Sequence, residues 1–99
     1  NGICTDGLLR SETEPTTLAF VSLDERGDRS FSFYRQHSAD CMLRSAELPL
    51  TLLEQAGIFH FGSVSMTAEP ARSATLDAVK YAKAKGAAIA FDPNLRLPL

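Results

Sequence analysis

The rhythm of apolar and polar positions divides the chain into a front part with a period near two and a back part that mixes short apolar runs with a helical period. Residues 16–23 (TTLAFVSL) are dense in β-branched and apolar types, which predicts a strand. Asp24-Glu25-Arg26-Gly27-Asp28 follows, a polar run with a glycine for the positive φ of a turn. In residues 29–35 (RSFSFYR), Phe31, Phe33 and Arg35 alternate with Ser30, Ser32 and Tyr34, the period of a second strand with unlike faces. Together the two segments predict a β-hairpin. A hairpin alone is marginal in water. This one therefore needs a surface to close on: a partner chain, a cleft or the body of the domain.

Gln36 to Arg44 is polar and irregular. Residues 45–56 (SAELPLTLLEQA) predict a short helix with Leu50, Leu53 and Ala56 at helical spacing. Pro49 is tolerated only in a first turn, so the helix is expected to start near Leu48 and close at Gly57. Residues 58–64 (IFHFGSV) read as a buried strand, followed by a loop over 65–69. Residues 70–85 are the clearest helix. Pro70 suits the first turn, and Ala71, Ala74, Ala78 and Ala82, with Thr75 and Val79, form a narrow stripe of small residues. Glu69 at one end and Lys80, Lys83 and Lys85 toward the other suit the helix dipole, the lysines forming a solvated face. Gly86 ends the helix, and residues 87–92 (AAIAFD) form another apolar strand. Strand 58–64, helix 70–85 and strand 87–92 predict a parallel βαβ unit with a right-handed crossover. The expected fold class is α/β, a β-hairpin beside a βαβ unit. Asn1-Gly2 before Ile3 reads like the close of an earlier helix, and the absence of an initial Met suggests that the true N-terminus lies elsewhere.

Composition narrows this picture. The chain has 99 residues, 44% hydrophobic and 22% charged, ordinary for a globular protein able to bury a thin core. The net charge of −2 offers no basic excess to hold nucleic acid. No apolar run is long enough to span a membrane, and the opening residues lack the pattern of a leader. Cys4 and Cys41 lack CxxC spacing and are expected as reduced thiols, which points to a cytoplasmic protein. His37 and His60 stand apart with no compact ligand set, so no zinc site is expected.

Two strand ends are candidates for chemistry, since ligands of open parallel sheets bind at the carboxyl ends of the strands. They are Gly62-Ser63-Val64-Ser65 and Asp92-Pro93-Asn94-Leu95-Arg96. The second sets a carboxylate, an amide and a guanidinium within five residues. Arg forks onto phosphate oxygens and Asn bonds an anion or a hydroxyl. The same residues are also ordinary turn openers. Arg35 ends an aromatic strand and suits either an anionic or polyhydroxylated ligand or a plain surface position on an edge strand. Phe31 and Phe33 suit a sugar site or a core. His60 is expected as a hydrogen-bonded core histidine rather than a base. There is no GxGxxG and no GxxxxGK[ST] to cradle a phosphate.

In order along the chain, TTLAFVSLDERGDRSFSFYRQHSAD, IFHFGSVSM, EPARSATLDAVKYAKAKG and FDPNLRLPL resemble consecutive segments of ribokinase-like (PfkB) carbohydrate kinases, nearest the fructokinases. The resemblance covers nearly the whole chain. It implies a partial ribokinase-like fold, one fragment (1–99) of a kinase domain. Residues 16–35 would be a lid hairpin, and residues 45–99 part of a three-layer α/β sandwich. It implies ATP and Mg²⁺ as cofactors, a sugar as substrate, and a homodimer through the lid. Phe33 and Arg35 match lid residues that reach the sugar or sugar acid; Asn94 and Arg96 match residues beside the ATP phosphates, with Asp92 ordering that loop. The family's base and anion hole lie in a Gly-Ala-Gly-Asp motif that these 99 residues do not contain. The resemblance implies a parent that phosphorylates fructose and a 99-residue chain without turnover. Two alternatives stay open: a parent acting on 2-keto-3-deoxygluconate, whose kinases share the aromatic–x–Arg motif, and a non-catalytic binding or dimerisation module.

Overall fold

The computed structural model describes residues 2–94. Two small sheets are present among them. The first pairs β1 (Leu18–Leu23) with β2 (Arg29–Tyr34), antiparallel, with Leu18 opposite Tyr34 and Leu23 opposite Arg29. The second pairs β3 (Ile58–Gly62) with β4 (Ala88–Asp92), parallel, with Phe59 opposite Ile89 and Gly62 opposite Asp92. Between them in sequence lie two 3-10 turns (Ala39–Cys41, Ser45–Glu47) and the short helix α1 (Leu50–Gln55). The 3-10 turn Ser63–Met66 and the long helix α2 (Ala71–Ala84) connect β3 to β4. The hairpin and the parallel βαβ unit expected from sequence are both present.

The hairpin turn is built by Asp24. Its carboxylate accepts from the backbone N–H of Arg26 and of Asp28, both at 2.8 Å, and Gly27 supplies the positive φ of +80° that lets the strands meet. Register then sorts the side chains. Ala19, Val21, Phe31 and Phe33 share one face, and Leu18, Phe20 and Tyr34 the other. Phe31 stacks on Phe33 at 6.1 Å, and Phe20 meets Tyr34 edge to face at 5.5 Å. Both faces are largely exposed, with Leu23 at 67%. The hairpin is thus an apolar arm that packs mainly on itself. Phe31 and Phe33, weighed as core residues, lie outside the core.

The core sits where α2 lies on the parallel pair. Ala71, Ala74, Thr75, Ala78 and Ala82 are buried, so the small-residue stripe is the packing face. Leu53 of α1, Ala78, Ala82 and Ala87 form the centre, with Leu48, Phe59, Tyr81 and Ile89 around them. Tyr81 donates its hydroxyl proton to Glu54, tying α2 to α1. The helix closes in a Schellman motif: the N–H of Ala87 bonds the carbonyl of Ala82 at 3.0 Å and that of Gly86 the carbonyl of Lys83 at 3.1 Å, with Gly86 at φ +96°. That geometry turns the chain straight into β4 and buries Ala87 against Ala82.

Three expectations are corrected. β3 is not a buried strand: α2 covers the Phe59 side, while Ile58 is 68% exposed on the other. His60 shares that uncovered side and is exposed, its side chain making no hydrogen bond among the described residues. A position inside an apolar run implied burial, but only one face of the two-stranded sheet has a layer on it. The helix expected from near Leu48 is present but starts at Leu50, because Pro49 is its cap, and Ser45–Glu47 ahead of it forms a separate 3-10 turn.

Candidate functional site

Arg35 leaves the end of β2 on the side of Phe33 and reaches across to the turn that follows β3. Its Nε donates to Asp40 Oδ2 at 2.7 Å, its Nη2 to the carbonyl of Val64 at 3.1 Å, and its Nη1 to the hydroxyl of Thr67. Thr67 passes its own proton to the Val64 carbonyl at 2.7 Å. The side chain is 11% exposed, not the surface arginine of an edge strand. Three of its five N–H groups are engaged, one on each nitrogen.

Asp40 completes the arrangement. Its Oδ1 accepts from Thr17, the residue just before β1, and Ser38 Oγ lies 2.7 Å from the same oxygen. Ser38 is buried and also within 2.9 Å of the Arg35 carbonyl. The backbone makes the approach possible: His37 adopts φ +53° and reverses the chain, so that Ser38 and Asp40 fold back under Arg35. Partial burial pushes the Asp40 carboxyl up, but hydrogen bonds from Thr17, Ser38 and Arg35 outweigh it and hold the group below its usual range. One carboxylate and one guanidinium thereby join three stretches of chain, 15–17, 35–40 and 63–67.

The same turn after β3 receives the other candidate loop. Ser63 Oγ donates to the carbonyl of Asn94 at 2.7 Å, and the Asn94 N–H bonds the Asp92 carbonyl at 2.9 Å. Asp92 closes β4 beside Gly62, and both Asp92 and Asn94 are exposed. Thus Ser63 holds the end of β4, and its neighbour Val64 holds Arg35. Arg35 and Asn94, separated by almost sixty residues in sequence, converge on adjacent residues at the carboxyl edge of the parallel pair. Phe33 is half-buried and lines, with Arg35, Tyr34, Leu18 and Pro15, a cleft of about 320 Å³ at the base of the hairpin. Arg96 lies outside the described residues. A second cleft of about 460 Å³, bordered by Leu8, Arg10, Met42 and Pro49, meets this arrangement at Thr17 and Asp40.

A family model described as pfkB family carbohydrate kinase matches residues 1–99. The chain belongs to the pfkB family. Within that family it is 50% identical over 99 residues to a fructokinase-2 of Oryza sativa subsp. japonica, and 50% identical to a fructokinase of Solanum tuberosum. All of this chain is covered in both, against 30% and 31% of those relatives. Among solved structures, the fructokinase of Xylella fastidiosa with bound ATP superposes with a TM-score of 0.91 at 43% identity, over 99% of this chain and 30% of that one. The fold is accordingly part of a ribokinase-like α/β fold. This family member spans about a third of the length of the relatives it matches.

Sequence reasoning singled out Arg35, Phe33, Asp92 and Asn94, and missed Thr17, Ser38, Asp40 and Thr67. The signal for Asp40 was the Ser-Ala-Asp run three residues after Arg35. A hydroxyl and a carboxylate so close to a strand-ending arginine are apt to fold back onto it. Both cysteines are free, Cys4 exposed and Cys41 buried beside Ser38. Among the described residues no helix is long and apolar enough to cross a membrane.

Proposed function

We propose that the chain is part of a fructokinase whose whole length transfers a phosphoryl group from ATP to a fructose hydroxyl. The hairpin is its lid, Phe33 and Arg35 serve the sugar side, and Asn94, Arg96 and Asp92 the phosphate side. The observation that carries the reading is the convergence of the hairpin base and the end of β4 on Ser63 and Val64, in a chain half identical to curated fructokinases. Catalysis of phosphoryl transfer is chiefly positioning and charge stabilisation, which needs a sugar and a phosphate chain held against one edge.

Each residue then has a defined task. Phe33 offers an apolar ring to a sugar face. Arg35 is held by Asp40 and Val64 and keeps one N–H on each terminal nitrogen for hydroxyl oxygens. Asn94 and Arg96 bind phosphate oxygens as donors, and Asp92 steadies their loop. ATP supplies the phosphoryl group, and Mg²⁺ bound with it offsets phosphate charge. The exposed carboxylate and amide at the end of β4 suit such a group, while among the described residues no cluster of three His, Cys, Asp or Glu side chains could hold an ion. The ion would come to the site on the nucleotide.

Arg35 already pairs with Asp40 at 2.7 Å, which offsets the charge that a sugar acid's carboxylate would seek. This favours a neutral sugar over 2-keto-3-deoxygluconate. The test is coupled ADP release by the full-length chain with ATP, Mg²⁺ and either substrate. Fructose is expected to support turnover and the sugar acid not; preference for the acid overturns the reading. The 99 residues alone lack a Gly-Ala-Gly-Asp motif. They are expected to release no ADP in the same assay.

A further inference from the structure

The hairpin arm joins the rest of the chain at two crossings, Thr17 before β1 and Arg35 after β2, and both end on one carboxylate. Thr17 gives its proton to Asp40 Oδ1, and Arg35 gives Nε–H to Oδ2 at 2.7 Å. The Ala39 N–H adds a bond to the Pro15 carbonyl at 2.8 Å. Beyond this base the strands are exposed on both faces. Among the described residues, the orientation of the arm therefore rests on the polar contacts at its root.

We propose that Asp40 is a positioning residue: it locks Arg35 across the base of the hairpin onto Val64 and Thr67, and so fixes the angle at which the arm carries Phe33 over the sheet edge. Leverage makes the root decisive. At about 3.3 Å per strand residue the arm is roughly 20 Å long, so a 10° change at the base moves its tip by about 3 Å and Phe33 by about 1 Å. A displacement of about 1 Å at a contact residue can cost catalysis up to about a hundredfold. The ion pair itself is half open to solvent on the Asp40 side and adds little to global stability. Loss of Asp40 is thus a loss of angle rather than of fold.

The test uses the full-length chain with a fluorescent amino acid placed at Arg26 in the exposed turn, read by time-resolved anisotropy. In Asp40→Asn and Asp40→Ala the amplitude of fast segmental motion should at least double, with Asp40→Glu between these and the wild type. Thr67→Val, which cuts the far end of the clasp, should act in the same direction and serves where Asp40→Ala fails to fold. An amplitude unchanged in a folded variant overturns the proposal. The catalytic readout rests on the kinase reading above: the KM for sugar should rise about tenfold while kcat stays within about threefold. A kcat loss with KM unchanged would equally overturn it. A wild type without sugar kinase activity would sink that reading alone, since the anisotropy arm decides this proposal without it.

Discussion

Arg35 and Asp40 are five positions apart, yet their contact depends on a single backbone reversal at His37. The Asp40 carboxyl lies below its ordinary value of 3.8 because the hydrogen bonds it accepts outweigh partial burial. A carboxylate with a depressed folded-state pKa stabilises the fold fully above its unfolded value, and that contribution fades as pH falls through the lower, folded one. The modest difference in melting temperature between wild type and Asp40→Asn should therefore be full at about pH 6 and shrink below about pH 5. Calorimetry across that range checks it, and a difference independent of pH would remove the carboxylate's charge from the account. At this scale the sequence was half legible. Arg35 and Asn94 stood out because they end apolar runs. Ser63 stood at a candidate strand end, but Asp40 and Thr67, the holders of Arg35, did not stand out, because a small polar side chain carries no periodicity and its partner is set by a turn or by the tertiary fold.

The elements were more legible than their burial. The alternation in Arg29–Tyr34 and the alanine stripe of α2 each had one structural reading, and both are present. The stripe is narrow because the helix lies close to β3 and β4, with Ala82 fully buried. Ala82→Leu should cost about 1–3 kcal/mol in urea unfolding of the full-length chain, since added methylenes have no space to enter. Ala84→Leu, two residues on and exposed, should stay within about 0.5 kcal/mol. Equal effects would mean that the helix does not pack as described. What pattern could not convey was which apolar face lacks a cover. The near-continuous apolar run of β3 is the pattern of a strand covered on both faces, yet among the described residues only one face has a layer on it.

The molecule as a whole leaves many large apolar side chains uncovered. Leu18, Phe20, Val21 and Leu23 on the arm, and Ile58 and Phe91 on the parallel pair, are all exposed. Patches of this kind mark surfaces that meet other protein. This chain covers 30% and 31% of the two fructokinase relatives, and on the fructokinase reading the remaining length is what such surfaces would meet. The isolated 99-residue chain should accordingly enhance the fluorescence of an apolar dye such as ANS far more, per mole, than the full-length protein does. Equal enhancement would show that the exposed faces stay open in both. The adjoining positions of Ser63 and Val64 carry a last consequence. One grips the end of β4 and the other grips the arginine beneath the arm, with a single peptide bond between them. On the kinase reading, a ligand that shifts the first would strain the second. By linkage, whatever factor one occupant adds to the affinity of the other is returned in equal measure. On the kinase reading, nucleotide and sugar would then bind as coupled rather than independent partners.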